Sequence, residues 1–168
     1  DVANITFQRV QNGGSQYSNN ATILLGNYAD GQDGAAAFAY LPGGMPGATG
    51  SSQVQGDVWI NSSLSYNAVP VQLEYGQHTL LHEIGHAIGL SHPAAYNASA
   101  NGNITYTNDA LYYEDSRQYT VMSYFSETWT NANFGNRYAS APLLDDISAA
   151  QRLYGANMTT RTGDTTYG

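Results

Sequence analysis

Short runs of apolar and aromatic residues, separated by glycine, asparagine, serine and proline, occupy the first third of the chain. Runs of this length, bounded by turn-forming residues, are typical of β-strands. The pattern predicts four strands, at Ile5 to Val10, Ala21 to Tyr28, Ala35 to Leu41 and Asp57 to Asn61. The segment from Leu41 to Gly56 is rich in glycine and proline, and we expect it to be a surface loop.

Two later segments have the spacing of helices. From about Tyr75 to Ile88, leucine and isoleucine recur at helical intervals, which predicts an amphipathic helix. From Pro142 to Tyr154, proline stands at the first helical position, two aspartates follow in the early turns, and Gly155 comes after the end. Each of these is a recognised helix boundary signal, so a second helix is predicted there.

The stretch between the two helices, from Pro93 to Gln118, shows little periodicity and is rich in asparagine, tyrosine and alanine. It predicts a long connection held by tyrosine hydroxyls and local hydrogen bonds, and connections of that length usually have a function. Four strands, one helix, a long loop and a second helix together predict a single α+β domain.

Composition narrows the functional classes. The chain has 168 residues, a net charge of −8, no lysine and five scattered arginines, so no basic patch is available for nucleic acid or an anionic membrane. No apolar run approaches the length of about 20 residues that membrane insertion needs. The absence of cysteine excludes disulfides and thiolate ligands. The acidic balance suits an extracellular, calcium-rich setting, although it also aids solubility.

Eleven residues, His82 to His92, read HEIGHAIGLSH. His82 and His86 are four residues apart, so on a helix both can reach one metal ion. Glu83 lies about 100° further around the helix, where it can reach a water at that metal. Gly89 tolerates the positive φ of a turn that brings His92 back to the ion. The spacing predicts a zinc site with three imidazole ligands.

Two alternatives to a catalytic zinc are a structural zinc and an inactive relative of an enzyme. Structural zinc usually fills its fourth position with cysteine or histidine, but the chain has no cysteine and only His78 in reserve. We interpret His78 as a residue at the surface or behind the metal ligands.

These motifs resemble the metzincin zinc proteases and, within them, the serralysins, which are secreted bacterial metalloproteases. Pro93 directly follows the third histidine, within HPAAYN. YEDSRQYTVMSYFSET, from Tyr113 to Thr128, resembles the Met-turn region of that family. APLLDDISAAQRLYGAN, from Ala141 to Asn157, resembles its C-terminal helix, and the opening DVANITF also resembles part of its catalytic domain. The resemblance covers nearly the whole chain.

The resemblance implies a twisted, mostly parallel β-sheet, an active-site helix carrying the zinc motif, a long loop with the Met-turn, and a C-terminal helix. We expect residues 1–155 to be a metzincin catalytic domain without the family's first helix and strand. Residues 156–168 are expected to begin the linker to a glycine-rich, calcium-binding repeat domain.

Roles for individual residues also follow from the resemblance. It makes Met122 the methionine beneath the zinc and Tyr124 a tyrosine that ligates zinc at rest and later hydrogen-bonds the oxyanion. It places the substrate on an exposed strand edge, although the sequence alone leaves an interior strand equally open; the expected contacts are Ala37, Phe38, Ala39 and Tyr40. Backbone carbonyl ligands for a calcium ion are expected at Arg161, Gly163 and Thr165.

Together these observations predict a secreted zinc-dependent endopeptidase that hydrolyses extended protein substrates, with Glu83 as general base and then general acid for a metal-activated water. Expected partners are protein or peptide substrates, the remaining N-terminal and C-terminal portions of the same protease, and a protein inhibitor. Another metzincin type, astacin-like, adamalysin-like or matrixin-like, stays open, but the lack of cysteine and the presence of Pro93 favour a serralysin. A non-catalytic zinc-containing fragment or binding domain is the other alternative, and the intact Glu83 weighs against it.

Overall fold

The computed structural model describes residues 2–10, 20–48, 53–97, 103–160 and 162–163. A small sheet contains β1 (Leu25–Tyr28), β2 (Ala37–Ala39) and β3 (Val58–Asn61). The helices are α1 (Ser65–Ala68), α2 (Tyr75–Ala87), α3 (Tyr106–Asp109) and α4 (Leu144–Tyr154), with a 3₁₀ turn at Glu127–Thr130. The α+β class predicted from the sequence is confirmed for these residues.

The strand order is β1-β3-β2, with β1 parallel to β3 and β2 antiparallel to it. The described strands therefore do not form the mostly parallel sheet that the resemblance implied. The connection between β1 and β2 spans only residues 29–36, which is shorter than the crossover that parallel strands require. The chain reverses there, and β2 forms one edge of the described sheet.

The strand predicted at Ile5 to Val10 is wrong, because these residues have no regular secondary structure. No described strand lies beside them to complete a ladder of hydrogen bonds, and Phe7 and Val10 are exposed. The N-terminal segment is instead attached to the region after α4. Ala3 forms a single antiparallel bridge with Ala156, and the Asn4 backbone N–H donates to the Gly155 carbonyl at 2.9 Å.

The two long helices follow the sequence closely, with one correction. α4 begins at Leu144, so Pro142 lies before the helix and is not its first residue. The reason is that the Asp146 carboxylate accepts a 2.7 Å hydrogen bond from the Leu143 backbone N–H and fixes Leu143 in an extended conformation. This carboxylate satisfies a donor that the helix itself leaves unpaired.

The long connection contains the short helix α3, which its composition did not predict. The expected tyrosine hydrogen bonds are confirmed where the structure describes them. Tyr96 donates to Asp115 at 2.8 Å, and Tyr106 donates to the Tyr113 carbonyl at 2.7 Å.

A small core of Leu90, Val121 and Met122 joins the end of α2 to the segment before α4. α2 also packs against α1, β2 and β3, so one helix connects the core to the sheet. In the part of the chain that the structure describes, no helix combines the length and the apolar character needed to cross a membrane.

Gly76 permits the close contact between α1 and α2. A Cβ placed on it would lie 1.8 Å from the Tyr66 carbonyl oxygen, and a backbone atom cannot move aside cheaply. We predict that Gly76→Ala lowers the free energy of unfolding by about 2 kcal/mol. Urea denaturation measures the change, and Gly163→Ala is the matched control because, within the described part of the chain, its added Cβ meets nothing within 4 Å. Equal stability of the two variants would contradict this close packing.

Candidate metal centre and active site

The end of α2 forms the turn that the zinc motif requires. Gly89 has a φ of +96°, the Gly89 N–H donates to the His86 carbonyl at 2.8 Å, and the Leu90 N–H donates to the Gly85 carbonyl at 2.9 Å. These two bonds define a Schellman motif, in which glycine accepts the left-handed conformation at little cost. The turn reverses the chain and allows His92 to approach α2.

Three imidazole rings meet at this point. Their Nε2 atoms lie 3.1 Å apart for His82 and His92, 3.2 Å for His82 and His86, and 3.1 Å for His86 and His92. Ligand atoms at about 2.0 Å from a tetrahedral zinc ion are separated by about 3.3 Å. The triangle of Nε2 atoms therefore has the dimensions of a tridentate zinc site.

The opposite nitrogen of each ring is fixed by a backbone carbonyl. At 2.8 Å in each case, Nδ1 of His82 bonds Val121, that of His86 bonds Leu90, and that of His92 bonds Tyr96. Because a carbonyl only accepts, each Nδ1 carries the proton and each neutral Nε2 presents a lone pair. Three lone pairs at this separation repel one another unless a cation lies among them, so the donor set fits zinc.

The electrostatic environment favours the neutral rings. Burial lowers the pKa of His82 and of His86, and burial together with the neighbouring His86 lowers the pKa of His92 to about 4. At neutral pH the three rings are therefore neutral, with a proton on Nδ1 only, which is the form that binds a metal through Nε2.

Glu83 lies beside this cluster and faces a pocket of about 350 Å³. The residue is 7% exposed, and burial raises the pKa of its carboxyl to about 7. Among the residues that the structure describes, no donor forms a hydrogen bond with this carboxyl. A buried acid with a near-neutral pKa and an open side can accept and release a proton at physiological pH.

Met122 and Tyr124 belong to the segment between α3 and α4 and lie close to the metal-site histidines. Met122 is 2% exposed, and its sulfur would lie 2.4 Å from a Cβ added to Gly85, so the thioether packs against α2 between the first two histidines. The Tyr124 ring centroid lies 4.6 Å from that of His92 and 5.8 Å from that of His82. Tyr124 also lines the pocket.

Two buried acids hold backbone carbonyls that orient the metal-site histidines. The sequence analysis did not assign either acid to the site. Asp146 accepts hydrogen bonds from the Thr120 hydroxyl at 2.5 Å and from the Val121 N–H at 2.9 Å. The Val121 carbonyl accepts the hydrogen bond from Nδ1 of His82. Through the Asp146 carboxylate, α4 therefore helps to position this metal ligand. The sequence marked Asp146 only as an acid in the first turn of a helix.

Asp115 is the second of these acids and is fully buried. One of its oxygens accepts from the Tyr96 hydroxyl at 2.8 Å and from the Ser123 hydroxyl at 2.7 Å. Tyr96 provides the carbonyl that accepts from His92, and Ser123 lies between Met122 and Tyr124. Asp115 therefore connects the third metal ligand, His92, with the segment that contains Met122 and Tyr124. Its position within the segment from Tyr113 to Thr128, which resembles the Met-turn region, was the one sequence signal that could have pointed to this role.

One of our two interpretations placed His78 at the surface, and that interpretation is wrong. The side chain is 6% exposed and lines the pocket, with its ring centroid 6.4 Å from that of His82. It lies one helical turn before the ligands and does not belong to the cluster of three converging histidines.

The structure brings only part of the expected substrate strand to the pocket. Ala37 lines it, together with Ala35 and Ala36, whereas Phe38 stacks on Trp59 with ring centroids 6.4 Å apart. Ala39 and Tyr40 do not line the pocket, although they continue along the same strand and the turn after it. Of the expected calcium ligands, Arg161 and Thr165 lie outside the described residues, and only Gly163 is among them.

We predict that Glu83→Gln stabilises the metal-free protein in a pH-dependent manner. The folded-state pKa of Glu83 is raised, so the folded protein binds more protons than the unfolded chain between about pH 4.5 and 7. Wild-type stability must therefore fall as pH rises through this window, by about 3 kcal/mol in total, whereas glutamine carries no charge to bury. Urea unfolding of both proteins at pH 4, 6 and 8 measures the difference.

Histidine titration affects both proteins alike and cancels in that comparison. Glu74→Gln, which removes a half-exposed carboxylate that pairs with Arg137 at the start of the same helix, serves as the control for loss of a carboxylate outside the pocket. A stability difference between Glu83→Gln and wild type that stays constant with pH would contradict the raised pKa.

Comparison with known proteins agrees with this geometry. Residues 2–134 match the model of metallo-peptidase family M12. The whole chain is 52% identical to metallopeptidase AprA of Pseudomonas marginalis, 47% to serralysin B of Dickeya chrysanthemi and 48% to serralysin of Photorhabdus sp. (strain Az29). The chain spans about a third of the length of these relatives, 34%, 33% and 33% respectively.

The family match includes β1 to β3, α2 and all three converging histidines, while the similarity to the serralysins extends through α4 to the end of the chain. The resemblance to serralysins, predicted from the zinc motif and the segments around Met122 and α4, is confirmed by these identities. The chain therefore belongs to metallo-peptidase family M12 and is of the serralysin type.

Proposed function

We propose that this chain is the catalytic portion of a secreted zinc-dependent endopeptidase that cleaves extended segments of protein substrates. The observation that supports it most directly is the convergence of three neutral Nε2 lone pairs beside a buried, protonatable Glu83 at the wall of an open pocket. Family membership supports the same reaction class, and the acidic composition is consistent with an extracellular setting.

His82, His86 and His92 would hold the zinc ion through Nε2. When bound, zinc supplies Lewis-acid polarisation of a carbonyl and lowers the pKa of water. The Nδ1 bonds to Val121, Leu90 and Tyr96 keep the rings oriented, so little reorganisation accompanies metal binding.

Glu83 is proposed to carry protons in both halves of the reaction. It accepts a proton from the attacking water and then donates that proton to the nitrogen of the leaving amine. Burial has already raised the pKa of its carboxyl to about 7 in the described structure, so both directions of transfer are accessible near neutral pH.

Tyr124 is proposed to donate a hydrogen bond to the oxygen of the scissile carbonyl as negative charge develops there. Its ring packs beside His82 and His92 and lines the pocket, which places it on the same side of the site as Glu83. Its role as a zinc ligand at rest remains a prediction from the resemblance.

The edge strand β2 is suited to bind substrate backbone. The Ala36 carbonyl accepts from the Asn61 N–H, and the Tyr40 N–H donates to the Asp57 carbonyl, each at 3.0 Å. In an antiparallel strand, the backbone N–H and C=O groups of successive residues point alternately towards and away from the neighbouring strand. Those of Ala37 and Ala39 therefore point away from β3, towards the open edge. An extended peptide can add there with little dependence on its side chains.

The Ala35 and Ala36 carbonyls are fixed behind this edge. The fully buried Asn61 donates to the Ala35 carbonyl at 3.1 Å, and Asn67 donates to the Ala36 carbonyl at 2.7 Å. Their bonds hold the β1–β2 connection rigid, so the edge presents its free groups in a fixed register. Calcium binding by the backbone carbonyls of Arg161, Gly163 and Thr165 remains a further prediction.

We predict that Glu83→Gln retains one zinc ion per chain and loses about 10³-fold in the rate of casein hydrolysis, because general acid-base transfer is removed. Zinc is measured by elemental analysis after dialysis and hydrolysis by release of soluble peptides. Glu74→Gln is the matched control on the same helix and should keep wild-type activity. Undiminished turnover by Glu83→Gln would refute the proton-carrying role, and an inactive wild type with bound zinc would favour a non-catalytic zinc domain.

We also predict that Tyr124→Phe lowers kcat about 10²-fold with little change in KM, since the proposed bond forms mainly in the transition state. Steady-state kinetics on a quenched peptide separate the two constants. Tyr119→Phe, which removes a hydroxyl from the same segment, is the control. An unchanged kcat in Tyr124→Phe would exclude Tyr124 from the mechanism.

A further inference from the structure

The pocket beside Glu83 contains a cation that the proposed reaction does not use. Its wall includes Tyr75, His78 and Arg117 as well as the catalytic groups. The Arg117 guanidinium carbon lies 5.3 Å from the ring centroid of Tyr138, and that ring packs against Tyr75 and His78 at centroid distances of 5.3 Å and 5.1 Å. The guanidinium therefore lies at the part of the pocket formed by the start of α2.

Arg117 is held in place by two neighbours. Its backbone N–H and its Nε–H both donate to the Phe125 carbonyl, at 3.0 Å and 3.2 Å, and its guanidinium carbon lies 5.3 Å from the Tyr138 ring centroid. The planar group is thus fixed by a hydrogen bond on one edge and an aromatic face, an arrangement that lowers the entropic cost of binding a ligand.

The remaining donors of Arg117 are available. Within the described ranges, Nη1 and Nη2 have no hydrogen-bond partner, and no carboxylate forms an ion pair with this arginine. A guanidinium with two parallel free N–H groups is the side chain best matched to a carboxylate. The molecule as a whole carries a net charge of −8, and Arg117 is a cation in the wall of this pocket.

His78 provides an independent sign that the wall is polar. The residue is 6% exposed, and its buried Nδ1 has no hydrogen-bond partner among the described residues. Buried polar atoms without partners are uncommon in folded proteins. The presence of the His78 Nδ1 beside Arg117 indicates that this part of the pocket does not suit a purely apolar side chain.

The reaction geometry identifies which substrate residue enters the pocket. In the proposed function, on which this inference rests, Glu83 delivers a proton to the leaving nitrogen, so the residue that carries this nitrogen lies next to Glu83. Its side chain is then the one closest to the pocket. We propose that Arg117 binds the carboxylate of an aspartate or glutamate at the position immediately following the cleaved bond, and so determines a preference for acidic residues there.

The test uses pairs of peptides that differ only in glutamate or glutamine at that position, amidated at the C-terminus so that no terminal carboxylate competes. The zinc-loaded protein should cleave the glutamate peptide with a kcat/KM about fivefold higher than the glutamine peptide at low ionic strength. The ratio should fall towards one in Arg117→Met and stay intermediate in Arg117→Lys, which keeps the charge but not the planar fork. Arg152→Met, on α4, removes an arginine elsewhere and should keep the wild-type ratio.

Binding gives a second readout that does not depend on turnover. Fluorescence anisotropy with the Glu83→Gln protein should show the same preference for the glutamate peptide, and the preference should be lost when Arg117→Met is added. The ratio of two peptides on one protein also corrects for any loss of folded protein in a variant.

The outcomes separate this inference from the proposed function. If wild type cleaves both peptides equally well, or if Arg117→Met keeps the wild-type ratio, the role of Arg117 is overturned while the protease assignment stands. If zinc-loaded wild type cleaves neither these peptides nor casein, the proposed function fails. In that case, a glutamate preference in peptide binding that disappears with Arg117→Met would still support the acidic pocket.

Discussion

The structure depends on one constraint, which is that three imidazole lone pairs must point at the same place. Left to themselves, three such nitrogens about 3.1 Å apart repel one another, and rotation of any ring would relieve the repulsion. Three backbone carbonyls, those of Val121, Leu90 and Tyr96, prevent that rotation by accepting a hydrogen bond from each Nδ1. Much of the surrounding fold can be understood as the means of holding these three carbonyls in position.

Each carbonyl is positioned by a different element. The Schellman turn at Gly89 fixes Leu90, the N-terminal acid of α4 fixes Val121, and the buried Asp115 fixes Tyr96 through its hydroxyl. Distant parts of the chain therefore determine the orientation of ligands that are close together in sequence. Both buried carboxylates also accept hydroxyl hydrogen bonds, which partly compensate their charge although no cation of the described residues forms an ion pair with them.

The sequence allowed the local part of this arrangement to be predicted. The histidine spacing, the glycine turn and the extent of α2 depend on neighbours within one or two helical turns, where periodicity and capping signals operate. Asp115, Asp146 and Arg117 act across the fold; they lie in segments that resemble the family's Met-turn region and C-terminal helix, but no local pattern assigns them to the site. The failed strand at Ile5 to Val10 has the same cause, since a strand needs a partner that no local pattern reveals.

Burial has opposite effects on the two kinds of group at the site. It lowers the pKa of the histidines because the charged ring loses its hydration, and it raises the pKa of Glu83 because the charged carboxylate loses its own. Near neutral pH the rings are therefore free to bind a cation, while the acid can still exchange a proton. Arg117 lines the same pocket beside Tyr75 and His78, at the start of α2, whereas Glu83 lies in the second half of that helix. The cation proposed to bind a substrate carboxylate and the proposed proton carrier therefore lie beside different turns of the same helix.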